Sequence, residues 1–217
     1  MKIEKNDNQR KITIHTPVEI ETVEKKSRFI ANLAPAKDEN EAKEHIEKIK
    51  KRFSDATHNV YAYYIDHGTY ARYSDDGEPQ GTAGMPTLNA LKMSGLTDIC
   101  VVVTRYFGGI LLGTGGLVRA YTKGASIALK AGNIITMQSC SICSLSCDYT
   151  RYGRLSGLIP SFGGVIDSTD FGADVTLNFH IAPENYGAFS KQLAELTCGN
   201  VTAEIIDEKF FEMSSDE

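Results

Sequence analysis

The run Arg105-Tyr106-Phe107-Gly108-Gly109 is followed closely by Leu112-Gly113-Thr114-Gly115-Gly116-Leu117. A glycine loop that feeds a helix presents free backbone N–H groups and the positive end of the helix dipole. Both attract an anion such as a phosphate. Arg105, leaving a strand, adds a possible bidentate contact to the same anion. The pattern is not a Walker loop, because no Lys-Ser/Thr pair follows the glycines, and it is not the G-x-G-x-x-G of a dinucleotide fold. The same glycines also serve tight turns and close helix–sheet packing.

Other residues could do chemistry nearby in sequence. Asp75, Asp76 and Glu78 could hold a magnesium ion through their carboxylates. As Asp-Asp-Gly-Glu-Pro, they could equally form a solvated turn. His58 could be an acid or base, or a structural hydrogen-bonder. No serine or cysteine stands near it in a nucleophile-elbow context. Cys140, Cys143 and Cys147 lack the spacing of paired C-x-x-C knuckles. On a strand, Cys140 and Cys143 point to opposite faces, so they are expected in a core rather than on a metal.

Composition narrows the classes. The chain has 217 residues, 41% of them hydrophobic, which suits one large or two small globular domains. No secretory signal and no bilayer-length apolar run is seen, and the five cysteines are an odd number, so a cytoplasmic protein is expected. The net charge of −5 argues against a general nucleic-acid binder. The charge is uneven, however. Residues 1–139 hold 19 basic and 16 acidic side chains, whereas residues 140–217 hold 4 and 12. A polyanion would meet the first part and be repelled by the second.

Several elements must position these residues. Ile12, Ile14, Val18, Ile20 and Val23 predict one or two short strands, and Phe29 to Leu33 another that Pro35 stops. Ala42, Ile46, Ile49 and Phe53 recur at helical spacing, with Asp38 and Glu41 at the start as in a capping box and Lys48, Lys50, Lys51 and Arg52 at the end. Strands are predicted from His58 to Ile65 and Tyr70 to Tyr73. A helix with Pro86 in its first turn follows, running to Gly95. Ile99 to Val103 is a continuous apolar run and so a central strand. Leu117 to Lys130 is a helix whose Ala120, Gly124 and Ala128 let it sit close on a sheet, with Gly132 as its stop. Asn133 to Met137 closes the part as a strand.

The remainder reads strand (Ser141–Asp148), helix (Thr150–Ile159), strand (Val165–Thr169), strand (Val175–Ile181), helix (Glu184–Leu196), strand (Val201–Phe211). That βαββαβ order is the ferredoxin-like arrangement. The expected organisation is α+β, with one domain over 1–138 and a second over 139–217 that ends in an acidic tail.

A longer combined pattern carries a family resemblance. Its segments are Ser27-Arg28-Phe29-Ile30-Ala31, Ala56-Thr57-His58-Asn59, Asp75 to Pro79, Gly81-Thr82-Ala83-Gly84, Pro86, and Val102 to Gly109 through Leu117 to Tyr121. They resemble the Impact family, and the pattern departs at Val60, Gln80 and Met85. The resemblance implies an N-terminal α/β sandwich like that of a small-subunit ribosomal protein and of domain IV of elongation factor G. It also implies a C-terminal ferredoxin-like domain similar to domain V of that factor. Eukaryotic relatives regulate translation through the activator of a starvation-sensing kinase, and they carry a further N-terminal domain with no counterpart here.

Three expectations follow. One is a non-enzymatic, translation-linked factor contacting RNA, the ribosome or a translation protein through the glycine-rich loop, with Arg28, Arg105 and Arg119 as cations. The surface would include Thr82, Tyr106, Phe107, Gly108, Gly109, Gly113, Gly115 and Gly116. The second is an enzyme or binding protein for a phosphorylated small molecule or nucleotide, with magnesium on Asp75, Asp76 and Glu78, and His58 as acid or base. The third is a protein-interaction module marked by an apolar rim around Tyr106 and Phe107. No resident cofactor, no membrane partner and no particular oligomeric state is expected.

Overall fold

The structure, a computed structural model, describes residues 9–213. The elements are β1 (Arg10–Ile14), β2 (Val18–Glu24), β3 (Ser27–Pro35), α1 (Glu39–Arg52), β4 (His58–Ile65), β5 (Tyr70–Ser74), α2 (Gly84–Met93), β6 (Ile99–Tyr106), α3 (Thr114–Ala131), β7 (Ile134–Cys147), α4 (Tyr149–Ser161), β8 (Val165–Phe171), β9 (Val175–Ile181), α5 (Pro183–Thr197) and β10 (Ala203–Glu212). They form an α+β protein of two compact units. Among the described residues, one spans 11–136; the other spans 137–213 and takes in Gln9 and Arg10.

In the first unit the sheet order is β2-β3-β6-β4-β5, antiparallel throughout. Strand β6 is central, and its residues from Ile99 to Arg105 are buried, as a strand covered on both faces must be. Its side chains alternate between two cores. Cys100 and Val102 meet α1, through Ala42, Ile46 and Ile49. Val101 and Val103 meet α2 and α3, through Leu88, Leu91, Leu117 and Ala125. The predicted helical spacing of α1 is the spacing of its buried residues. Asp38 accepts from the N–H groups of Asn40 and Glu41, and Glu41 in turn accepts from the Lys37 N–H, so both free ends of the first turn are held.

Helix α3 begins at Thr114, three residues before the predicted start, and packs its small residues on the sheet. A Cβ built on Gly124 would lie 3.7 Å from Val103. Gly132 does end α3, but with φ −65 rather than a left-handed conformation. Its constraint is proximity, since a Cβ there would come within 2.8 Å of Ile14.

The second sheet has five strands in the order β1-β7-β9-β8 with β10 also paired to β7; its strands β10-β7-β9-β8 are antiparallel and, with α4 and α5 as helices, make the ferredoxin-like arrangement. Phe179, Phe189, Leu155 and Ile159 are fully buried in its core. Cys143 and Cys147 lie in that core as free thiols, and burial pushes the Cys143 thiol up to about 11. The two strands expected at Asn133–Met137 and Ser141–Asp148 are one, the 14-residue β7. Polar Gln138, Ser139 and Ser141 do not break it, because pairing with β10 and β9, together with a bond from the Ser139 N–H to the Gln9 carbonyl at 2.8 Å, satisfies their backbone.

Candidate functional site

Strand parity assembles the site. Phe29, Ala31 and Leu33 of β3, Val60 and Ala62 of β4, and Val101 and Val103 of β6 all face the α2/α3 side. Side chains two residues apart share a face, so Ser27, His58 and Arg105 emerge on that same side at the strand ends. Register brings them together, because Arg105 lies opposite Phe29 on one neighbouring strand and His58 on the other.

Arg105 is buried, and its Nη1 donates to Glu78 Oε1 at 2.6 Å. The Tyr121 hydroxyl donates to the same oxygen at 2.8 Å. Burial, reinforced by the Glu78 charge, holds that phenol far above its usual range, so it stays a donor. Arg105 Nη2 reaches Ser27 Oγ at 3.4 Å, and its guanidinium stands 5.5 Å over the Phe29 ring and 5.6 Å over Phe107. Its Nε is buried without a hydrogen-bond acceptor. His58 donates from Nδ1 to the Asp76 carbonyl at 2.8 Å. That bond fixes the ring so that Nε2 points to Glu78 Oε2, 3.8 Å away.

These groups form the floor of a cleft of about 430 Å³. Its mouth is apolar, made by Phe107, Leu111, Leu112 and Leu117, with Gly113 and Thr114 at the start of α3. Leu111 is 84% exposed and Phe107 46%.

Three expectations meet specific geometry. First, the carboxylates of the acidic turn do not converge as metal ligands would. Asp75 accepts from the N–H groups of Gly81, Ala83 and Gly84, tying the turn to the start of α2. Asp76 accepts from the Asn59 N–H and pairs with Lys50, while Glu78 turns inward to Arg105. The three carboxylates serve separate donors, and among the described residues no metal-ligating group of three or more His, Cys, Asp or Glu converges. The simple turn reading is the better one, although Glu78 is buried rather than solvated.

Second, the three candidate cations do not converge. Arg28 has the opposite strand parity to Ser27 and makes a two-pronged bond to Glu21, with its guanidinium 5.4 Å over the Tyr106 ring. Arg119 is exposed on α3 and shares a separate hollow with Glu24.

Third, much of the glycine density is steric. A Cβ on Gly108 would lie 2.1 Å from the Lys26 carbonyl carbon, where the loop crosses the β2–β3 turn. Gly113 caps α3 with φ 70, which a side chain rarely adopts. Gly109 also has positive φ; Gly115 and Gly116 lie within the first turn of α3, and a Cβ on Gly115 would meet only the end of Arg119. Thr82 closes its own loop by donating to the Pro79 carbonyl. Tyr106 donates to Asp55, outside the cleft.

Two residues of the cluster escaped attention as site residues. Tyr121 sits in a helix otherwise read for its small residues. Ser27 accepts from both Arg105 and the Gly108 N–H. A serine beside Lys25 and Lys26, both at positive φ, carries no local signal of burial.

Fold and site together define a two-domain α+β protein whose first domain holds a buried polar cluster beneath an apolar-lipped cleft. The chain belongs to the IMPACT family. Residues 25–129 match the Impact N-terminal domain and residues 145–200 the Domain of unknown function (DUF1949). The chain is 40% identical over 188 residues to the IMPACT family member YvyE of Bacillus subtilis (strain 168), covering 86% of this chain and 87% of that protein. It is 36% identical over 195 residues to YigZ of Escherichia coli (strain K12), covering 88% and 96%. The Protein IMPACT homolog of Dictyostelium discoideum matches over 61% of this chain, which is only 38% of that longer protein, at 36% identity. A crystal structure of a hypothetical protein superposes over 92% of this chain and 98% of its own, with TM-score 0.65 and 35% identity. No helix among the described residues is long and apolar enough to cross a membrane.

Proposed function

We propose that the protein is a non-enzymatic, translation-linked binding factor that holds a protein of the translation apparatus at the cleft above Arg105. The link to translation rests on the family resemblance. The carrying observation is the contrast between the floor and mouth of the cleft. The floor neutralises its own charge, because Glu78 accepts from both Arg105 and the Tyr121 hydroxyl. The mouth is apolar, with Phe107 and Leu111 both exposed at it. An RNA backbone needs uncommitted cations at the cleft, and Arg28 and Arg105 are already held by carboxylates while Arg119 lines a separate hollow. An apolar rim around a polar centre suits a protein surface.

Co-sedimentation of the full chain with a crude ribosome fraction tests this at low and high salt, with the Leu111→Asp variant alongside. The expected result is retention that salt barely changes and that the variant loses. Steeply salt-dependent retention that Leu111→Asp leaves intact would put RNA in the partner's place and overturn the reading.

A second reading has its own observation. Arg105 Nε is unpartnered, and His58 Nε2 and Glu78 Oε2 face one another across 3.8 Å as two acceptors if the imidazole is neutral. A small ligand with a hydroxyl or amine donor and an anionic group, such as a phosphorylated metabolite, would satisfy all three. Thermal-shift measurements with nucleoside phosphates and inorganic phosphate, without magnesium, test it. A shift abolished by His58→Ala favours this reading over the first.

A further inference from the structure

A second concavity lies on the same unit, away from the cluster of Arg105. It runs between α2 and α3 and has a volume of about 640 Å³, within the usual range for ligand grooves. Two helical stripes form its walls. Met85, Asn89 and Met93 come from α2, and Val118, Thr122 and Ser126 from α3, each set spaced four residues apart. Such spacing lines one face of a helix, so the walls are straight and continuous. From Met85 to Met93 a wall is roughly 12 Å long, a little over two helical turns.

The walls have a distinct chemistry. Met93 is 87% exposed and Met85 38%. Exposed methionines make adaptable apolar lips, of the kind that accept peptide side chains of varied shape. No aromatic residue lines the groove, so nucleic-acid bases find no stacking platform in it.

Charge selects the partner further. Helix α2 contains Lys92 and no carboxylate, and α3 contains Arg119, Lys123 and Lys130 and no carboxylate. Residues 99–147 hold no Asp or Glu at all. Lys130 lines the groove directly, and Lys92 sits one turn along from Asn89 beside it. No carboxylate pairs with Lys92 or Lys130 among the described residues. The net −5 of the chain makes this basic, acid-free layer an exception to its own background.

We infer that the groove between α2 and α3 receives an acidic amphipathic helix from a protein partner, with a little over two of its turns seated between the walls. Its apolar ridge would lie between the methionine lips and its carboxylates would face Lys92 and Lys130, the helix-in-groove mode of recognition. This site is separate from the cleft above Arg105, and either can hold if the other fails.

The test uses the full chain and a fluorescein-labelled synthetic 14-mer with leucines at i, i+3, i+4 and i+7 spacing and glutamates on its outer face. Fluorescence anisotropy reads the binding. The expected result is saturable binding, weakened roughly threefold to fivefold by Lys130→Glu and tenfold or more by Ser126→Trp, which fills the groove. The same peptide with lysines for glutamates should not bind. Met93→Glu, at an exposed side chain that folding does not depend on, stands in should Ser126→Trp fail to fold, and it too should repel the acidic peptide. Equal affinity for the two peptides, or full binding by the Met93→Glu variant, would overturn the inference. So would an oligo(U) RNA that binds the chain and is displaced by Ser126→Trp. Sedimentation showing a dimer that Met93→Glu dissolves would assign the groove to a second copy instead.

Discussion

Arg105 Nη1 and Glu78 Oε1 are 2.6 Å apart, and their side chains are only 6% and 3% exposed. A charge pair taken this far from water is costly to assemble and costlier to break. Removing one partner leaves the other as an uncompensated buried charge. Glu78→Ala should therefore lower unfolding stability by about 3–5 kcal/mol. The double variant Glu78→Leu/Arg105→Met should recover most of that loss, because an apolar pair of similar volume needs no neutralisation. Urea unfolding followed by tyrosine circular dichroism measures both. A single variant as stable as the parent would mean that the pair contributes nothing to the fold.

Asp75 gives a prediction of the opposite character. Its carboxylate gathers three backbone N–H groups, those of Gly81, Ala83 and Gly84, and so closes the acidic turn onto the start of α2. No side chain within α2 itself caps that end. Asp75→Ala should cost about 1–2 kcal/mol, the upper part of the range for losing a helix cap. Magnesium should raise the melting temperature of neither the parent nor the variant. A magnesium-dependent rise lost in Asp75→Ala would put a metal on this turn despite its diverging carboxylates.

His45 sets part of the pH response. It donates from Nε2 to the Asn32 carbonyl at 3.2 Å. Burial lowers its pKa from the ordinary 6.5, the Asn32 bond works against that, and nearby Lys48 adds to the lowering. The unfolded chain therefore takes up this proton first as pH falls. The stabilisation is complete above about 6.5 and declines as pH drops toward the lower folded value. The urea midpoint should fall between about pH 7 and 5, and His45→Gln should remove a share of that fall. Identical pH slopes in parent and variant would clear His45 of any part in it.

What could be read in the sequence was what depends on near neighbours. The spacing of Ala42, Ile46 and Ile49 gave α1, and the unbroken run from Ile99 gave the central strand, because burial on one or both faces leaves a local periodic trace. The ferredoxin-like order was legible for the same reason. The polar cluster was not. Ser27, His58, Glu78, Arg105 and Tyr121 meet only through the pairing of β3, β4 and β6 and the packing of α3, contacts that span from Ser27 to Tyr121 in sequence. The loop carboxylates looked alike as letters. Their fates diverged because Asp75 found free N–H groups at a helix start while Glu78 pointed into the core. The 14-residue β7 was missed because its polar residues sit in a strand paired on its flank.

Gly108 and Gly115 separate the two meanings of the glycine-rich loop. At Gly108 a Cβ would come within 2.1–2.4 Å of the Lys26 and Ser27 backbone. Neither chain can yield cheaply there, because Ser27 Oγ also holds the Gly108 N–H at 3.2 Å. Gly108→Ala should force the loop away from the β2–β3 turn and cost about 1–3 kcal/mol, the usual range for overpacking. At Gly115 the backbone is helical, and a Cβ would meet only the end of the Arg119 side chain at 3.8 Å. If that glycine serves packing alone, Gly115→Ala should stabilise α3 by roughly 0.5–1 kcal/mol, as removing a helical glycine does. If a partner or ligand must approach the start of α3 closely, the same methyl group should weaken binding while raising stability. Thermal unfolding and the ribosome co-sedimentation assay, run on both variants, read the two effects apart. A Gly115→Ala protein that is more stable and binds as well as the parent would confine the function of the loop to Phe107, Ile110 and Leu111.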